Sequence, residues 1–328
     1  MSKTIFVTGG AGYVGSHCCK AFADADWQVV TFDNLSTGWR HLVQFGDLIE
    51  GDLLDADGLN QAMQDVKPDA VAHFAALSLV GESVTDPGKY YRTNGVGTIN
   101  LLDAMVANSV DKMIFSSTCA TYGIPERLPI DEETPQWPIN PYGWSKLFVE
   151  RIMSDYEKAY GLSTVKLRYF NAAGADAGAT IGEKHEPETH LIPNAIRGMM
   201  HEGFKLTIFG DDFDTRDGTC LRDYIHVTDL GEAHKLALDY LFEGGRPNVF
   251  NLGTGTGTTV KEIVEAVERV SGKKVNASVG PRREGDPAAL LALPTKAKDV
   301  LGWEPKHSDV DTIIRTAWEW HKRDNQER

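Results

Sequence analysis

The chain has 328 residues, of which 41% are apolar and 24% are charged, a composition typical of globular proteins. Its length allows one large domain or two ordinary ones. The formal net charge of -14 argues against nucleic acid as a general partner, because nucleic acids are bound by basic surfaces. It does not exclude a phosphorylated small molecule, which a few local arginines can hold.

Neither a secretory leader nor a membrane span is predicted. The strand-like run Thr4–Thr8 is too short for the apolar region of a leader, and no apolar stretch is long enough to cross a bilayer. The cysteines show no CxxC or zinc-type spacing, so we expect reduced thiols and a cytoplasmic location. They are Cys18, Cys19, Cys119 and Cys220.

Metal binding is not expected from the sequence, because the histidines are scattered. The closest plausible pair of ligands is His185 and His190. Both lie in a Pro-containing loop without the spacing of a known zinc motif.

The first half of the chain alternates strand and helix patterns. Short apolar runs predict strands at 5–7, 28–32, 48–50, 70–74, 112–115 and 164–168, and helical periodicity predicts helices at 12–25, 94–108 and 142–160. This alternation predicts an α/β fold in which helices cover both faces of a parallel sheet, of the Rossmann-type doubly wound kind. Ligands bind such sheets beyond the carboxyl ends of the strands.

After residue 171 the pattern changes. A Gly-, Glu- and Pro-rich stretch at 172–193 leads to predicted helices at 191–201, 228–242, 259–271 and 311–322 and a strand at 206–209. We expect a NAD-binding domain at 1–172 and a smaller α/β substrate domain at 173–328, with some exchange of elements between them.

The glycines after the first strand predict a cradle for a dinucleotide. Gly10, Gly12 and Gly15 match the GxGxxG fingerprint, and Gly9 extends it. A strand precedes them and a helix follows, so backbone N–H groups can approach a pyrophosphate at the start of the helix.

Acidic residues after the next two strands favour NAD. Asp33 ends the second strand, where a carboxylate accepts hydrogen bonds from ribose hydroxyls and repels a 2′-phosphate. Arg40 is the one nearby basic residue that favours NADP. Asp52 follows the third strand and has two interpretations: a contact with the adenine amino group or an ordinary turn residue.

Tyr142 and Lys146 predict the reacting group. They are four residues apart at the start of a predicted helix, so they share a face. A phenol of pKa ~10 is a weak base at neutral pH, and a nearby ammonium together with a nicotinamide ring favours the phenolate. Thr118, after the strand that ends in Ser116-Ser117, can donate a hydrogen bond to the substrate oxygen.

With these residues the chain resembles the extended short-chain dehydrogenase/reductase family and, within it, the UDP-glucose 4-epimerases. The resemblance is nearly full-length. It is carried by the segments 8–15, 33–36, 73–77, 115–118, 141–142 with Lys146, 168–174, 217–220, 222–227 and 282–286.

The resemblance implies a homodimer that holds NAD and acts on a UDP-sugar. Hydride leaves C4 of the sugar for NAD while Tyr142 takes the hydroxyl proton. The 4-keto sugar then turns about its phosphate link and takes the hydride back on its other face, which interconverts UDP-glucose and UDP-galactose.

The resemblance also implies a set of site residues. The catalytic residues are Tyr142, Lys146 and Thr118. The cofactor residues are Gly9, Gly12, Tyr13, Val14, Gly15, Asp33, Asn34, Asp52, Leu53, Phe74, Ala75, Ala76, Asn94, Tyr142, Lys146 and Phe170. The substrate residues are Thr118, Tyr142, Asn171, His190, Leu191, Arg222, Tyr224, Arg283, Asp286 and Leu290.

Three positions differ among relatives. Thr118 stands where many relatives carry serine, and either residue supplies a hydroxyl. His190 lies where some relatives have asparagine in the substrate loop, which leaves that contact open. Leu290 is intermediate between a bulky tyrosine, which goes with plain hexoses, and a small residue, which goes with N-acetylated ones, so UDP-N-acetylglucosamine remains an alternative substrate.

Other functions stay open to different degrees. A UDP-pentose 4-epimerase, acting on xylose or arabinose, needs the same apparatus. A nucleotide-sugar 4,6-dehydratase needs an acid and a base directly after the threonine, where this chain has Cys119 and Ala120. A non-catalytic NAD sensor needs the glycine cradle but not the Thr118, Tyr142 and Lys146 group.

Overall fold

A computed structural model describes residues 2–201, 203–283 and 285–326; Glu284, from the segment 282–286, lies outside them. The strands are β1 (Thr4–Thr8), β2 (Gln28–Asp33), β3 (Asp47–Glu50), β4 (Ala70–His73), β5 (Lys112–Thr118), β6 (Ser163–Tyr169), β7 (Asn171–Ala173), β8 (Leu206–Phe209), β9 (Leu221–Arg222), β10 (Tyr224–His226), β11 (Asn248–Leu252), β12 (Thr258–Thr259), β13 (Ala277–Gly280) and β14 (Ala289–Leu290).

Helices alternate with these strands. The α-helices are α1 (Tyr13–Asp24), α2 (Ala56–Val66), α3 (Val80–Thr85), α4 (Pro87–Tyr90), α5 (Gly97–Ala107), α6 (Pro141–Tyr160), α7 (Leu191–Met200), α8 (Val227–Phe242), α9 (Val260–Ser271), α10 (Thr295–Leu301) and α11 (Val310–Gln326). Short 3₁₀ turns lie at Arg40–Leu42 and Cys119–Thr121, and a π-helical segment lies at Tyr91–Val96.

Seven strands of the described chain form one parallel sheet in the order β11-β6-β5-β4-β1-β2-β3. The strand order reverses next to β1, which pairs with β2 on one side and β4 on the other. The loops that follow β1 and β4 therefore diverge and leave a crevice at the carboxyl edge. This is the doubly wound α/β fold that the sequence predicts.

Alternation along β1 shows why the sheet has two covered faces. Ile5 and Val7 belong to one buried cluster, and Phe6 between them belongs to another. Burying both sets removes a continuous apolar strand from water on both sides. Helices α1 and α8 supply the first cover, and α2, α5 and α6 supply the second.

The C-terminal half contributes to the first sheet as well as to its own layer. Strand β11 pairs with β6, with Phe250 opposite Leu167, and Leu230 of α8 packs in the cluster of Ile5. Helices α7, α9 and α11 form a separate buried cluster with residues of β8 and β10. Among the described residues no helix combines the length and apolar character needed to cross a membrane.

The predicted helix at 94–108 is confirmed, but its first turn is π-helical and not α-helical. Residues Tyr91–Val96 are π-helical, and α5 begins at Gly97. The wider turn accompanies a buried amide at Asn94, which bonds both to the backbone of Leu77 and to Ser145. Single-turn π-helical segments are rare, and they are frequently found at functional sites.

Candidate active site

The loop after β1 leaves the start of α1 open to an anion. Gly9 has φ +78°, and a Cβ on it would lie 2.4 Å from the backbone nitrogen of Ala75. A Cβ on Gly15 would lie 2.1 Å from the Gly9 carbonyl oxygen. At Gly12, the N-cap of α1, no described side chain caps the helix. The uncapped start of α1 and its helix dipole suit a pyrophosphate, so the cradle fits a dinucleotide.

Tyr13 and Val14 hold this loop in place. The Tyr13 hydroxyl donates to the carbonyl oxygen of Gly174 at 2.6 Å, and Val14 packs against the core cluster under α1. Burial, and then the charges of Glu183 and Glu188, raise the pKa of Tyr13. The phenol therefore stays protonated and fastens the glycine loop to the segment that follows β7.

Asp33 is held rigidly beside the cradle. Its carboxylate accepts hydrogen bonds from the N–H of Ala11 at 3.0 Å and of Leu35 at 2.8 Å. Burial raises the pKa of Asp33, and these two N–H groups oppose the rise. The side chain therefore presents a fixed acceptor at the carboxyl end of β2, where the sequence predicts a ribose contact.

The next strand end adds a second polar pair. Asn34 donates to the Asp52 carboxylate at 2.9 Å, and Leu53 is buried while its carbonyl oxygen accepts a hydrogen bond from Asn100. Arg40, which favoured NADP in the sequence, forms an exposed ion pair with Glu50 at the end of β3. This ion pair occupies the guanidinium that a 2′-phosphate would need.

The segment after β4 closes the crevice on its other side. The N–H groups of Phe74 and Ala75 both donate to the carbonyl oxygen of Thr8, which keeps Phe74, Ala75 and Ala76 next to the glycine loop. Asn94 donates to the Leu77 carbonyl oxygen and accepts from its N–H. Asn94 thus positions the segment that the family resemblance implies for the cofactor.

Tyr142 and Thr118 meet where β5 and α6 approach one another. Asn140 caps α6 by accepting from the N–H of Gly143 at 2.9 Å, so Tyr142 sits in the first turn. Burial raises the pKa of the Tyr142 phenol to about 12, and a hydrogen bond with the Thr118 side chain opposes that rise. Burial outweighs the effect of this hydrogen bond. The pKa of the phenol is therefore raised, whereas the sequence predicted that it would be lowered.

Lys146 is buried one turn further along α6. Its Nζ donates to the Ser116 carbonyl oxygen at 2.8 Å and lies 4.7 Å from the centre of the Phe115 ring. Burial lowers the pKa of Lys146 to about 7, and the charge of Glu150 opposes that change. A buried ammonium of this pKa responds strongly to any charge or hydrogen-bond acceptor that arrives beside it.

A buried polar network behind these residues was missed from the sequence. Glu150 forms a bidentate pair with Arg168 and accepts from Ser117 at 2.5 Å. Arg168 also donates to the Tyr122 hydroxyl at 2.7 Å. The available signal was spacing, because Glu150 follows Lys146 by four residues and shares its helix face.

The two arginines predicted to bind the substrate have different surroundings. Arg222 forms an ion pair with Asp286 and donates to the Leu221 carbonyl oxygen at 2.8 Å. Arg283 is exposed, with its guanidinium 4.0 Å from the centre of the Phe209 ring. The structure thus brings the predicted substrate residues Arg222 and Asp286 together.

The remaining predicted substrate residues lie on the short strands between the two buried layers. Asn171 of β7 is paired in register with Tyr224 of β10, and Leu290 of β14 is opposite Arg222 of β9. Leu290 packs against a buried cluster that contains Phe170. Leu290 therefore connects a predicted substrate residue with a predicted cofactor residue.

His190 and Leu191 begin α7. His190 is the N-cap, and its Nδ1 bonds to the Glu183 carboxylate. Leu191 packs against the cluster of α7, α9 and α11. The His190 side chain is thus engaged by an acid of the preceding loop.

Comparison with known proteins gives a consistent result. The profile of the NAD dependent epimerase/dehydratase family matches residues 5–253. The UDP-glucose 4-epimerase of Rhizobium meliloti (strain 1021) is 52% identical over 327 residues, which is 99% of each chain.

Solved structures agree in fold over nearly the whole chain. The UDP-glucose 4-epimerase from Brucella ovis in complex with NAD has a TM-score of 0.95 and 52% identity, with 97% of this chain and 98% of that one covered. The UDP-glucose-4-epimerase from Stenotrophomonas maltophila, with bound NAD and formylated UDP-arabinopyranose, has a TM-score of 0.96 and 37% identity, with 99% and 100% covered.

Proposed function

Because the chain belongs to the NAD dependent epimerase/dehydratase family, we propose that it interconverts UDP-glucose and UDP-galactose with NAD as cofactor. The observation that carries this proposal is the meeting of Tyr142 and Thr118, with Lys146 one turn away, at the same sheet edge as the glycine cradle. Relatives with this function and NAD in their structures support it.

The chain's own residues move one proton and hold the sugar. Bound NAD supplies a reversible hydride acceptor. Thr118 donates a hydrogen bond to the 4-oxygen of the sugar while Tyr142 takes the hydroxyl proton. Once the 4-keto sugar has turned about its phosphate link, Tyr142 returns the proton to the same oxygen, and the protein ends unchanged.

In this proposal the two halves of the chain divide the substrates. Residues 1–172 bind NAD and supply Thr118, Tyr142 and Asn171 to the sugar nucleotide, and residues 173–328 supply its other contacts. Arg222 and Arg283 contact the diphosphate because guanidinium groups bind its oxygens bidentately, and Asp286 accepts from the ribose. Leu290 lines the space beside the 2-substituent of the sugar. Four unpaired thiols support a cytoplasmic location.

A second copy of the chain is the proposed partner. Tyr91 and Val96 of the π-helical segment and Ile99 of α5 lie along one surface with Phe148 and Ile152 of α6. Val96 and Phe148 are each 46% exposed, and a cluster of this kind is typical of an interface between protein chains. A homodimer that pairs these helices would bury it.

Light scattering after gel filtration tests the dimer. Phe148→Asp should give a monomer because it puts a charge into the proposed interface. Tyr160→Asp is the matched control, since Tyr160 is exposed at the end of the same helix and outside this cluster. A monomeric parent protein, or a dimer unaffected by Phe148→Asp, would contradict the proposal.

Labelled substrate tests the reaction. The purified protein is incubated without added NAD with UDP-galactose carrying deuterium at C4, and the product is identified by NMR and mass. We expect UDP-glucose with the deuterium still on C4. No product, or deuterium lost to solvent, would overturn the proposed hydride return.

The same assay separates the alternatives. UDP-N-acetylgalactosamine and UDP-arabinose are run in parallel, and the substrate with the highest kcat/KM defines the preference. A 4,6-dehydratase would release a product lighter by one water. Burial raises the pKa of the Cys119 thiol to about 12, so that residue is a poor proton donor or acceptor for such an elimination.

A further inference from the structure

The loop between β7 and α7 gathers four potential metal ligands, of which only His190 is among the predicted substrate residues. They are Glu183, His185, Glu188 and His190, and their ligand atoms all lie within 4.8 Å of one another. The sequence did not predict a metal site here, because only the folded loop brings Glu183 and Glu188 close to the two histidines.

The distances within this cluster suit a small divalent cation. Four ligands held 2.0–2.1 Å from a tetrahedral zinc ion lie about 3.4 Å apart. His185 Nδ1 lies 3.4 Å from Glu188 and 3.5 Å from Glu183, and His190 Nδ1 lies 3.7 Å from Glu188. His190 and Glu183 are closer and need to separate to admit an ion.

The supporting contacts orient the Glu188 carboxylate and hold the backbone of Glu183. One oxygen of Glu188 accepts from the N–H groups of Thr189 and His190, at 2.8 Å and 2.9 Å, while its other oxygen lies towards His185. The carbonyl oxygen of Glu183 accepts from the Trp320 indole at 2.9 Å. Hydrogen bonds of this kind hold ligands in place around protein metal ions.

Charge and access also favour a cation. The Glu183 and Glu188 side chains are only 4% and 6% exposed, whereas the His190 side chain is 51% exposed. Two buried carboxylates need positive charge close by. In the structure the groups closest to these carboxylates are the imidazole nitrogens of His185 and His190.

We propose that Glu183, His185, Glu188 and His190 form a binding site for one zinc-like divalent cation. Two imidazole nitrogens and two carboxylate oxygens are ligands that zinc accepts, while magnesium prefers oxygen alone. The ion takes the place of the imidazole protons and joins the loop to the N-cap of α7. The His185 ring also contacts the Tyr13 ring of the glycine loop, with ring centres 6.2 Å apart.

Calorimetry of the EDTA-treated full-length protein with ZnCl₂ tests the site. At pH 7.5 we expect one ion per chain and release of protons, seen as a dependence of the heat on the buffer. Affinity should fall as the pH is lowered. Cobalt should give visible bands of tetrahedral intensity, and MgCl₂ should bind much more weakly.

Variants assign the binding to these residues. His185→Ala and Glu183→Gln should each weaken zinc binding by about tenfold or more. His201→Ala is the control, because His201 is an exposed histidine just beyond α7. If His185→Ala fails to fold, His190→Ala supplies the same test at a half-exposed position. Absence of stoichiometric binding in the parent protein, or equal binding in the folded ligand variants, would overturn the proposal.

Discussion

Glu150 and Arg168 form a bidentate, buried ion pair directly behind Lys146, with nitrogen–oxygen distances of 2.9 Å and 2.6 Å. Glu150 is on α6, four residues after Lys146, and Arg168 is on β6. Both side chains are 6% exposed. The pair therefore fixes the helix that carries the reacting phenol to the strand beside it, and it sets the charge around Lys146.

Glu150→Gln should affect stability and the pH profile together. Removing one partner leaves the Arg168 charge buried and unpaired, so the free energy of unfolding should fall by about 3 kcal/mol in urea titrations. The lost carboxylate also lowers the pKa of Lys146 further, because its charge is what opposes the effect of burial. The alkaline limb of the kcat profile should therefore move to lower pH.

Glu157→Gln is the matched control for this effect. Glu157 lies on the same helix and forms a buried pair with Lys166, away from Lys146. It should lose stability and keep the pH profile of the parent protein. A Glu150→Gln enzyme that is less stable but has an unshifted profile would limit Glu150 to a structural role.

Tyr142→Phe should reduce turnover by roughly 10²-fold or more, because the proton acceptor is removed. The fold should persist, because among the described residues the phenol has a hydrogen bond only with the Thr118 side chain. Turnover is measured by product formation, and reduction of bound NAD by absorbance after adding UDP-sugar.

Tyr156→Phe controls for the loss of a phenol from α6. The Tyr156 hydroxyl bonds to Asp103 at 2.5 Å, remote from the sheet edge. Its turnover should match that of the parent protein. Near-normal turnover of Tyr142→Phe would instead require a different base.

Much of the site was accessible from the sequence because its signals are local. The glycine cradle, Asp33 and the pair Tyr142 and Lys146 depend on spacings within one strand, turn or helix. The structure gives β1, α1 and α6 boundaries within about two residues of those predicted, as expected for strongly periodic segments.

The rest depends on contacts between distant parts of the chain. Strand β11 was not predicted, because its run is short and its partner β6 lies some 80 residues earlier. The π-helical turn at Asn94 accompanies hydrogen bonds of this side chain to Leu77 and Ser145. The sequence pattern near residue 94 does not reveal these partners. Likewise, Glu183 becomes a neighbour of His190 only when the loop folds.

His73 should make stability depend on pH in acid. Its ring nitrogens bond to Thr8 at 2.6 Å and Thr98 at 2.8 Å. Burial, and then the charge of Lys146, lower the pKa of His73 to about 3, whereas the unfolded value is about 6.5. The unfolded chain thus binds the proton more readily between these values, and stability is lost as the pH falls through that window.

His73→Gln keeps an amide that can hydrogen-bond to Thr8 and Thr98, and it removes the imidazole that titrates. Between pH 6 and pH 4 its free energy of unfolding should depend less steeply on pH, by up to about 1.4 kcal/mol per pH unit. Urea titrations at several pH values measure this slope. An unchanged slope would mean that His73 does not resist protonation in the folded protein.

Leu290→Tyr should restrict the space beside the sugar. Leu290 is partly buried against the cluster of Tyr122, Ile130 and Phe170, and it lies opposite Arg222 in the sheet register. The larger tyrosine side chain narrows this space, which excludes an N-acetyl group more strongly than the smaller hydroxyl group. The kcat/KM for UDP-N-acetylglucosamine should fall about tenfold more than that for UDP-glucose. Leu293→Tyr, at a 37% exposed position nearby, should treat both substrates alike, and equal losses in Leu290→Tyr would show that this side chain does not set the size of the pocket.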